Sequence, residues 1–314
     1  MYLSDPVRQK LEKQGYHLVG CGAVKPCLWL KRSIRGKDQC YKHHFYGIAS
    51  HRCVQMTPTL ICNHRCLHCW RPIEDVDALS DRGLMADYGD WIEPDELLDG
   101  IQREQQRLIS GFGGSEVTDR IRLEEAKSPA HVAISLMGEP TLYPMLDELI
   151  REIGRRSMTS FLVSNGSRPD VIGRVKPTQL YLSLNAPDEP TYMRIANPPV
   201  NMWSSILESL EWLKGSPSRT VVRITLVRGQ NNFHPDGYAK LLETAEPDFV
   251  EVKAYMHLGS SRKRLTREAM PEHAEVRDFA RKLAWELGYT FAEEVALSRV
   301  ALLTKSEATR DRFL

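Results

Sequence analysis

Residues 54–69 read VQMTPTLICNHRCLHC, and this stretch decides which fold the rest of the chain is expected to build. Its opening VQMT has the β-branched and apolar character of a short strand. Three cysteines follow the strand directly, Cys62, Cys66 and Cys69, in a C-x3-C-x2-C spacing. A strand that runs into a ligand-rich loop predicts a functional site at the carboxyl end of a parallel sheet.

Strand-like runs recur along the chain downstream of this stretch. They begin near residues 131, 159, 179, 220 and 248, and amphipathic helical segments separate them. Repeated strand-then-helix units at this spacing favour parallel strands with crossover helices. The pattern predicts an α/β fold, a partial (β/α)6 TIM-like barrel. Residues 110–127 are expected to be a flexible insertion between the first helix and the second strand.

Composition and charge bound the class of protein. The 314 residues are 42% hydrophobic, enough for a full core. The sequence contains neither an apolar run of about 20 residues nor the apolar core of a signal peptide, so a soluble cytoplasmic protein is expected. The net charge of +1 hides a basic front, since residues 1–53 carry ten Lys or Arg against three Asp or Glu. Such a front suits a polyanion such as RNA, or is only a solvated surface.

All seven cysteines lie within the first 69 residues. Clustered cysteines in a cytosolic protein are more often metal ligands than disulfide partners. Three thiolates around one loop suit a [4Fe–4S] cluster and leave one iron open, to which S-adenosylmethionine can bind. A zinc site with His64 or His68 as the fourth ligand is the alternative.

The spacing of Cys62, Cys66 and Cys69 resembles the signature of the radical S-adenosylmethionine superfamily, with His68 in its aromatic position. This resemblance implies that residues at the ends of the second, third and fourth strands contact the cofactor. The expected cofactor-binding residues are Met137, Gly138, Glu139, Ser164, Asn165, Ser183 and Asn185. Met137 stands where the superfamily has Gly, and Asn185 where many relatives have Asp.

A second triplet, Cys27, Cys40 and Cys53, has twelve residues in each interval and leaves only Cys21 over. This spacing fits neither a zinc finger nor a C-x-x-C redox pair. Over nearly the whole chain the sequence resembles the 4-demethylwyosine synthase family. The matching segments are CYKHHFYGI at 40–48, LMGEPTLYP at 136–144, FLVSNG at 161–166, LSLNAP at 182–187 and EVKAYM at 251–256.

The family resemblance implies a reaction. Members condense N1-methylguanosine-37 of tRNA(Phe) with pyruvate, by a 5′-deoxyadenosyl-radical mechanism, into the tricyclic 4-demethylwyosine base, which makes them carbon–carbon lyases or synthases. Two [4Fe–4S] clusters are therefore expected, the second on Cys27, Cys40 and Cys53 with an open iron for pyruvate. Lys42 would form a Schiff base with the ketone of pyruvate, or is only a surface lysine that neutralises the cluster or contacts phosphate.

The resemblance also implies partners and a division of the chain. A separate electron donor of ferredoxin or flavodoxin type is expected, and a monomer similar to the short archaeal members. We expect a cysteine-rich N-terminal extension at 1–53, a core barrel at 54–290 and a C-terminal extension at 291–314. The candidate contacts to the anticodon region of tRNA are Lys31, Arg32, Arg35, Lys37, Arg262, Lys263 and Arg264.

Two alternative functions stay open on the sequence. The first is another radical S-adenosylmethionine enzyme with an auxiliary cluster that acts on a peptide or a small molecule. The second is a non-catalytic, zinc-containing RNA-binding module. Iron and sulfide analysis separates the second alternative from both enzymes.

Overall fold

The structure, a computed structural model, describes residues 5–72, 91–305 and 312–314. Its strands are β1 His17–Val19, β2 Gly22–Val24, β3 Cys53–Thr57, β4 His131–Ile134, β5 Thr159–Ser164, β6 Gln179–Ser183, β7 Arg219–Leu226, β8 Phe249–Ala254, β9 Thr290–Val295 and β10 Val300–Thr304. Its helices are α1 Asp5–Lys13, α2 Leu28–Ile34, α3 Tyr41–Tyr46, α4 Pro94–Ser110, α5 Arg120–Ala126, α6 Leu146–Arg155, α7 Pro169–Ile172, α8 Glu189–Ala196, α9 Trp203–Glu211, α10 Pro235–Ala245 and α11 His273–Leu287.

The six predicted strands are confirmed as β3 to β8, each parallel to the next. Side chains along these strands alternate between two environments, because successive residues of a strand point to opposite faces. In β3, Val54 and Met56 pack in the main core with Leu97 of α4 and other helix residues. Cys53 and Gln55 instead line the interior of the barrel.

Helix α4 shows how the sequence builds the outer layer. Glu93 occupies the N-cap position, Pro94 opens the helix, and Asp95 and Glu96 stand in the first turn, where acidic side chains complement the helix dipole. Its buried side chains recur at the three- and four-residue spacing of one helical face. That face covers the outer side of the sheet.

Four further strands extend the predicted barrel at both ends of one ten-stranded sheet, whose order is β1-β2-β3-β4-β5-β6-β7-β8-β10-β9. Strands β1 and β2 come from the N-terminal extension, and β2 pairs antiparallel with β3. Strand β10 pairs antiparallel with β8 and with β9. Both predicted extensions therefore share the hydrogen-bonded sheet of the barrel.

The prediction of a flexible insertion at 110–127 is wrong for its second half. Residues Arg120–Ala126 form helix α5, which begins where the side chain of Asp119 accepts a hydrogen bond from the backbone N–H of Arg122. Leu123 and Ala126 bury one face of this helix in a small core with α2 and α4. The glycine- and charge-rich composition hid two apolar positions at helical spacing.

Helix α3 occupies the interior of the barrel near the amino ends of the strands. Tyr41, Phe45 and Tyr46 of this helix belong to one buried cluster with Phe161 of β5 and Phe249 of β8. The rings of Tyr46 and Phe249 meet edge to face, with centroids 5.4 Å apart. The N-terminal extension thereby closes one end of the barrel.

A buried ion pair joins β7 to β8 above this helix. The guanidinium of Arg223 donates to Oε2 of Glu251 at 2.8 and 2.9 Å, and Glu251 is fully buried. The hydroxyl of Tyr46 donates to Oε1 of Glu251 at 2.8 Å, and Arg223 also donates to the hydroxyl of Tyr41 at 2.7 Å. The pair and the two tyrosines bind α3 to the strands.

Removing the carboxylate of this pair should destabilise the fold strongly. Glu251→Ala is expected to lower the free energy of unfolding by about 3–5 kcal/mol, because it leaves the Arg223 guanidinium buried without its counter-charge. Anaerobic urea denaturation of the iron-free protein measures the change. Glu124→Ala, which breaks an exposed pair with Lys127, is the control and should have little effect. Similar losses in both variants would contradict this account.

Candidate active site

A cavity of about 720 Å³ occupies the interior of the barrel. Both predicted cysteine triplets line it: Cys27, Cys40, Cys53, Cys62, Cys66 and Cys69. The two triplets lie at different heights, since Cys53 opens β3 and Cys62 follows its carboxyl end. The strand advances by four residues between its ends, which is roughly 13 Å at about 3.3 Å per residue.

The segment from Cys62 to Cys69, here called the cysteine loop, is anchored to the end of α8. The backbone N–H groups of Arg65 and Leu67 donate to the carbonyls of Ala196 and Ile195, both at 2.9 Å. These carbonyls belong to the last turn of the helix, where they have no partner within it. The loop is therefore held by backbone bonds that do not depend on its side chains.

Side chains fix the cysteine loop at two further points. The His64 ring lies 2.9 Å from the hydroxyl of Tyr192, and burial lowers the pKa of this histidine to about 4. The amide of Asn63 donates to the hydroxyl of Ser167 at 2.8 Å. His64 therefore has a structural partner in α8.

Arg264 holds the carboxyl half of the cysteine loop from the other side of the barrel. Its Nε donates to the carbonyl of Leu67 at 3.1 Å, and its Nη2 donates to the carbonyl of Cys69. Nearby, Gly259 has φ of +55°, and a Cβ there would lie 2.2 Å from the carbonyl oxygen of Trp70. The sequence predicted Arg264 as an RNA contact, and the structure places its guanidinium on the loop instead.

The three cysteines of the cysteine loop are half-buried on the wall of the cavity. Burial, followed by the effect of the neighbouring Cys69, raises the pKa of Cys66 to about 12. The pKa of Cys62 lies well above its usual value for the same reason, with Cys66 as the next cause. Ionised sulfurs at such positions need a bound cation, and an iron cluster supplies that charge.

The predicted motif of Gly138 and Glu139 packs directly against residues 58–61, which join β3 to the cysteine loop. Gly138 has φ of +70°, and a Cβ at this position would lie 2.3 Å from the carbonyl oxygen of Thr59 and 2.6 Å from that of Ile61. The side chain of Met137 is buried in an apolar cluster that includes Leu60. Met137 therefore stands where the superfamily has Gly without placing its side chain between the two closely packed segments.

The carboxylate of Glu139 connects the ends of two strands, β4 and β5. Its Oε1 accepts hydrogen bonds from the hydroxyls of Ser164 and Thr141, both at 2.7 Å. Its Oε2 accepts the backbone N–H of Asn165 at 2.7 Å. Burial raises the pKa of this carboxyl group, and these donors oppose the shift. Because Oε2 carries a single partner among the described residues, it retains capacity to accept an ammonium group.

Asn165, Ser183 and Asn185 complete the predicted cofactor side of the cavity. The Asn165 amide lies 4.0 Å from the sulfur of Cys62, so this side chain faces the cysteine loop. The side-chain oxygen of Asn185 accepts the backbone N–H of Thr225 at 2.8 Å and thereby joins β6 to β7. An aspartate could accept the same bond, so Asn at this position keeps the geometry and removes a negative charge.

The second triplet gathers around the amino ends of α2, α3 and β3. Cys27 caps α2, and its sulfur accepts the backbone N–H of Leu30 at 3.3 Å. Cys40 precedes α3, and its backbone N–H donates to the hydroxyl of Ser50 at 2.9 Å. Burial raises the pKa of Cys40 to about 11 and of Cys53 to about 12, and the nearby Cys27 is the next cause for both.

Lys42 lies beside this triplet inside the barrel. Its side chain is 7% exposed, and its amine is 4.6 Å from the ring centres of both Phe161 and Tyr181. Burial lowers the pKa of this amine, and Arg223 lowers it further. Lys42 is therefore buried rather than on the surface.

Lys253 of β8 is a second, half-buried amine in the same cavity. Its Nζ donates to the carbonyl of Ser298 at 2.8 Å and lies 5.0 Å from the ring centre of Tyr41. Burial, followed by the charge of Arg223, lowers its pKa to about 8. Unlike Lys42, it carries a hydrogen bond that ties it to the backbone.

The residues predicted to contact RNA lie in different environments in the structure. Lys31 lines the cavity. Arg32 pairs with Asp38, and Arg35 and Lys37 are exposed outside the cavity lining. Arg262 and Lys263, in the turn after β8, are exposed too.

Sequence reasoning missed several residues of the cavity. Arg223 could have been noticed, because it is a charged residue inside the otherwise apolar strand TVVRITLV. Trp70 and Arg71 directly follow the cysteine loop, and Lys25 and Trp29 flank Cys27. A basic or aromatic residue beside a metal ligand carries no signal of its own in one sequence.

Two features are absent from residues 5–72, 91–305 and 312–314, a ligand group for a single metal ion and a membrane-spanning helix. No group of three or more His, Cys, Asp or Glu side chains there is arranged to hold a metal ion. In a four-iron cluster each thiolate binds a different iron, so the cysteine ligands do not surround a single metal ion. No helix in these ranges is both long enough and apolar enough to cross a membrane.

The class of protein is defined by its partial barrel and by the three cysteines that follow the first of the six parallel strands. Residues 56–242 match the radical SAM superfamily, which is more than half of the chain. Residues 244–305 match the family described as wyosine base formation. The chain is a radical S-adenosylmethionine enzyme, a class that carries a [4Fe–4S] cluster.

Named relatives specify the family within this class. The chain is 42% identical to the S-adenosyl-L-methionine-dependent tRNA 4-demethylwyosine synthase of Pyrococcus horikoshii, over 96% of this chain and 89% of the relative. The enzyme of the same name from Methanocaldococcus jannaschii is 40% identical, over 96% of both chains. A solved structure of TYW1 with a lysine–pyruvate adduct bound is 38% identical, with a TM-score of 0.88 over 100% of this chain and 99% of that one.

This chain belongs to the family of S-adenosyl-L-methionine-dependent tRNA 4-demethylwyosine synthases. The two alternative functions, a peptide or small-molecule enzyme and a zinc-containing RNA-binding module, are not favoured by these matches.

The role of Arg264 in the cysteine loop can be measured through iron release. Arg264→Gln should release the iron of this loop to a chelator at least about tenfold faster, since two charge-assisted hydrogen bonds to the loop are lost. Anaerobic chelator challenge, followed by absorbance, gives the rate. Arg262→Gln, an exposed neighbour, is the control and should match the wild type. Equal rates in the two variants would show that Arg264 does not hold the loop.

Proposed function

We propose that this chain forms the 4-demethylwyosine base from N1-methylguanosine in the anticodon region of tRNA(Phe) and from pyruvate. The observation that carries the proposal is that both cysteine triplets and Lys42 line one cavity. A site that must combine a cofactor, a keto acid and a nucleobase needs such a shared space. A related solved structure is described as TYW1 with a lysine–pyruvate adduct bound, which supports a reaction between pyruvate and a lysine.

The cysteine loop would hold the first cluster. With S-adenosylmethionine bound, such a cluster would supply a 5′-deoxyadenosyl radical able to remove hydrogen from the N1-methyl group. Glu139, through Oε2, and the backbone at Gly138 would receive the ammonium group of the cofactor. Ser164, Asn165, Ser183 and Asn185 would surround its remaining polar groups. Ser164 is buried and the other three are half-buried, which would limit the access of water to the reacting atoms.

Cys27, Cys40 and Cys53 would hold a second [4Fe–4S] cluster, which would supply a Lewis acid to bind and polarise pyruvate. The surrounding protein charge favours an anion there. Lys42, Arg223 and Lys253 line the cavity, and Glu251, which pairs with Arg223, is the carboxylate beside them. The excess positive charge in a low-dielectric interior would attract the carboxylate of a small keto acid.

Lys42 would bind the ketone covalently. Its neutral amine attacks the ketone carbon, a C–N bond forms, and the carbonyl oxygen leaves as water with both amine hydrogens. The rings of Phe161 and Tyr181 restrict the amine to this part of the cavity. Lys253 would be the less mobile of the two amines, because its Nζ is held by a hydrogen bond to the Ser298 carbonyl.

The substrate tRNA would approach through its phosphates. Lys31 on the cavity, with Arg262 and Lys263 after β8, are the predicted contacts whose positions suit this approach best, and Arg32, Arg35 and Lys37 would act at longer range. The proposal further includes a cytoplasmic monomer and a separate ferredoxin- or flavodoxin-type electron donor.

The reaction itself provides the main test. Anaerobically reconstituted protein, with methylated tRNA(Phe), pyruvate, S-adenosylmethionine and dithionite, should form a tricyclic nucleoside that is detected after digestion by mass spectrometry. The protein should contain close to eight irons, since each of two cubane clusters holds four. Cleavage of S-adenosylmethionine without any tricyclic nucleoside, at full iron content, would contradict the proposed substrate pair.

Matched triple variants separate the two clusters in that assay. Replacing Cys62, Cys66 and Cys69 by Ala should remove about four irons and abolish formation of 5′-deoxyadenosine. Replacing Cys27, Cys40 and Cys53 should also remove about four irons, but should preserve slow cleavage of S-adenosylmethionine while no tricyclic base forms. Equal loss of cleavage in both variants would argue that the second triplet is only structural.

Lys42→Ala tests the covalent step. Borohydride trapping of labelled pyruvate on the protein should fall at least about tenfold, because the attacking amine is absent. Lys253→Ala is the matched control, as it removes the half-buried amine of β8, and should keep most of the trapped label. Iron content must equal that of the wild type in both. Full trapping in Lys42→Ala, with loss in Lys253→Ala, would move the Schiff base to Lys253.

A further inference from the structure

The cavity opens to the surface beside five half-buried side chains. Leu28 and Leu258 are 60% and 48% exposed and also line the cavity, so they mark its mouth. The five side chains, here called the rim, are Lys25, Trp29, Lys31, Trp70 and Arg71. Within the rim only Lys31 was predicted from the sequence as an RNA contact.

Three cations line the rim. The amine of Lys25 and the guanidinium of Arg71 lie over the same Trp70 ring, and Lys31 lines the mouth of the cavity with them. In the described part of the chain, none of the three forms an ion pair with a carboxylate. Like charges that have no carboxylate partner among the described residues, around the mouth of a cavity, provide a site for an anion.

Trp70 fixes two of these cations in place. The amine of Lys25 lies 5.3 Å from its ring centre, and the guanidinium of Arg71 lies 4.9 Å from it. Arg71 donates through Nη2 to the carbonyl of Ser135, and its Nε is buried without a hydrogen-bond partner among the described residues. The rim therefore presents cations whose positions are set before any ligand arrives.

Trp29 supplies an aromatic surface at the same mouth. Its half-buried indole follows the exposed Leu28 at the start of α2, and the guanidinium of Arg32 lies 5.8 Å from its ring centre. Aromatic rings interleaved with cations characterise surfaces that bind single-stranded nucleic acid, because the rings stack on bases and the cations bind phosphates.

We propose that the rim binds the RNA strand on either side of the modified nucleotide, with Lys25, Lys31 and Arg71 on its phosphates and Trp29 stacked on a neighbouring base. This inference rests on the proposed function, which makes RNA the substrate. A base that enters a buried cavity must leave its stack, and its neighbours then lose a stacking partner. The indole replaces that partner while the cations hold the backbone at the mouth.

Binding of a methylated anticodon stem–loop RNA at several salt concentrations tests the rim. Lys25→Ala and Lys31→Ala should each weaken binding about tenfold and reduce the slope of log affinity against log salt by about 0.7 to 0.9, one phosphate contact each. Trp29→Ala should weaken binding about 5-fold to 100-fold with an unchanged salt slope, as expected for lost stacking, and Trp29→Phe should recover most of the affinity.

The controls come from the outer face of α11, where Trp285 is 86% exposed and Lys282 is exposed. Trp285→Ala and Lys282→Ala should bind RNA as the wild type does. Iron content equal to that of the wild type establishes that each rim variant is folded. Dissociation constants within twofold of the wild type, with unchanged salt slopes, in Lys25→Ala, Lys31→Ala and Trp29→Ala would overturn the inference.

The two proposals can fail separately. If the wild type binds the stem–loop and the rim variants weaken it as described, but no tricyclic base forms from full-length tRNA, the rim stands and the proposed reaction fails. If the tricyclic base forms at wild-type rates while the rim variants bind RNA normally, the reaction stands and the rim is wrong.

Discussion

The alternation of side chains along β3 to β8 is the constraint on which the molecule depends. One set of residues meets the helices and supplies the apolar core, and the other set must fill the barrel interior. In β7 and β8 that interior set includes Arg223, Glu251 and Lys253, whose burial requires partners. The Arg223–Glu251 pair meets the requirement inside the sheet, and the hydroxyls of α3 extend it.

The cysteine loop gains its shape from elements that surround it in space. Carbonyls at the end of α8 receive its backbone N–H groups, and Arg264 donates to its carboxyl half. Glu139 joins the ends of β4 and β5 beside it. Three cysteines at the correct spacing would otherwise sample many arrangements, so these anchors reduce the entropy that cluster binding must overcome.

The type of side chain that lines the cavity also changes along the barrel. Hydrogen-bonding side chains at the strand carboxyl ends suit a cofactor with an amino acid and a sugar. The amines of Lys42 and Lys253 suit a small anion, and the rim suits a polyanion. A substrate that enters at the mouth therefore meets both proposed centres without leaving the protein.

The sequence by itself determined the six parallel strands, the cysteine loop after the first of them, and the positions of polar residues at the strand ends. These features depend on local period and spacing, which are visible within short stretches. The tertiary structure alone decided that Lys42 is buried between Phe161 and Tyr181, and that Arg264 serves a loop 195 residues earlier than itself. The tertiary structure also showed that residues Arg120–Ala126, within the predicted insertion at 110–127, form helix α5. Contacts between segments distant in the chain depend on how the elements pack, and a basic or aromatic side chain has the same local pattern whether it faces solvent or a cavity.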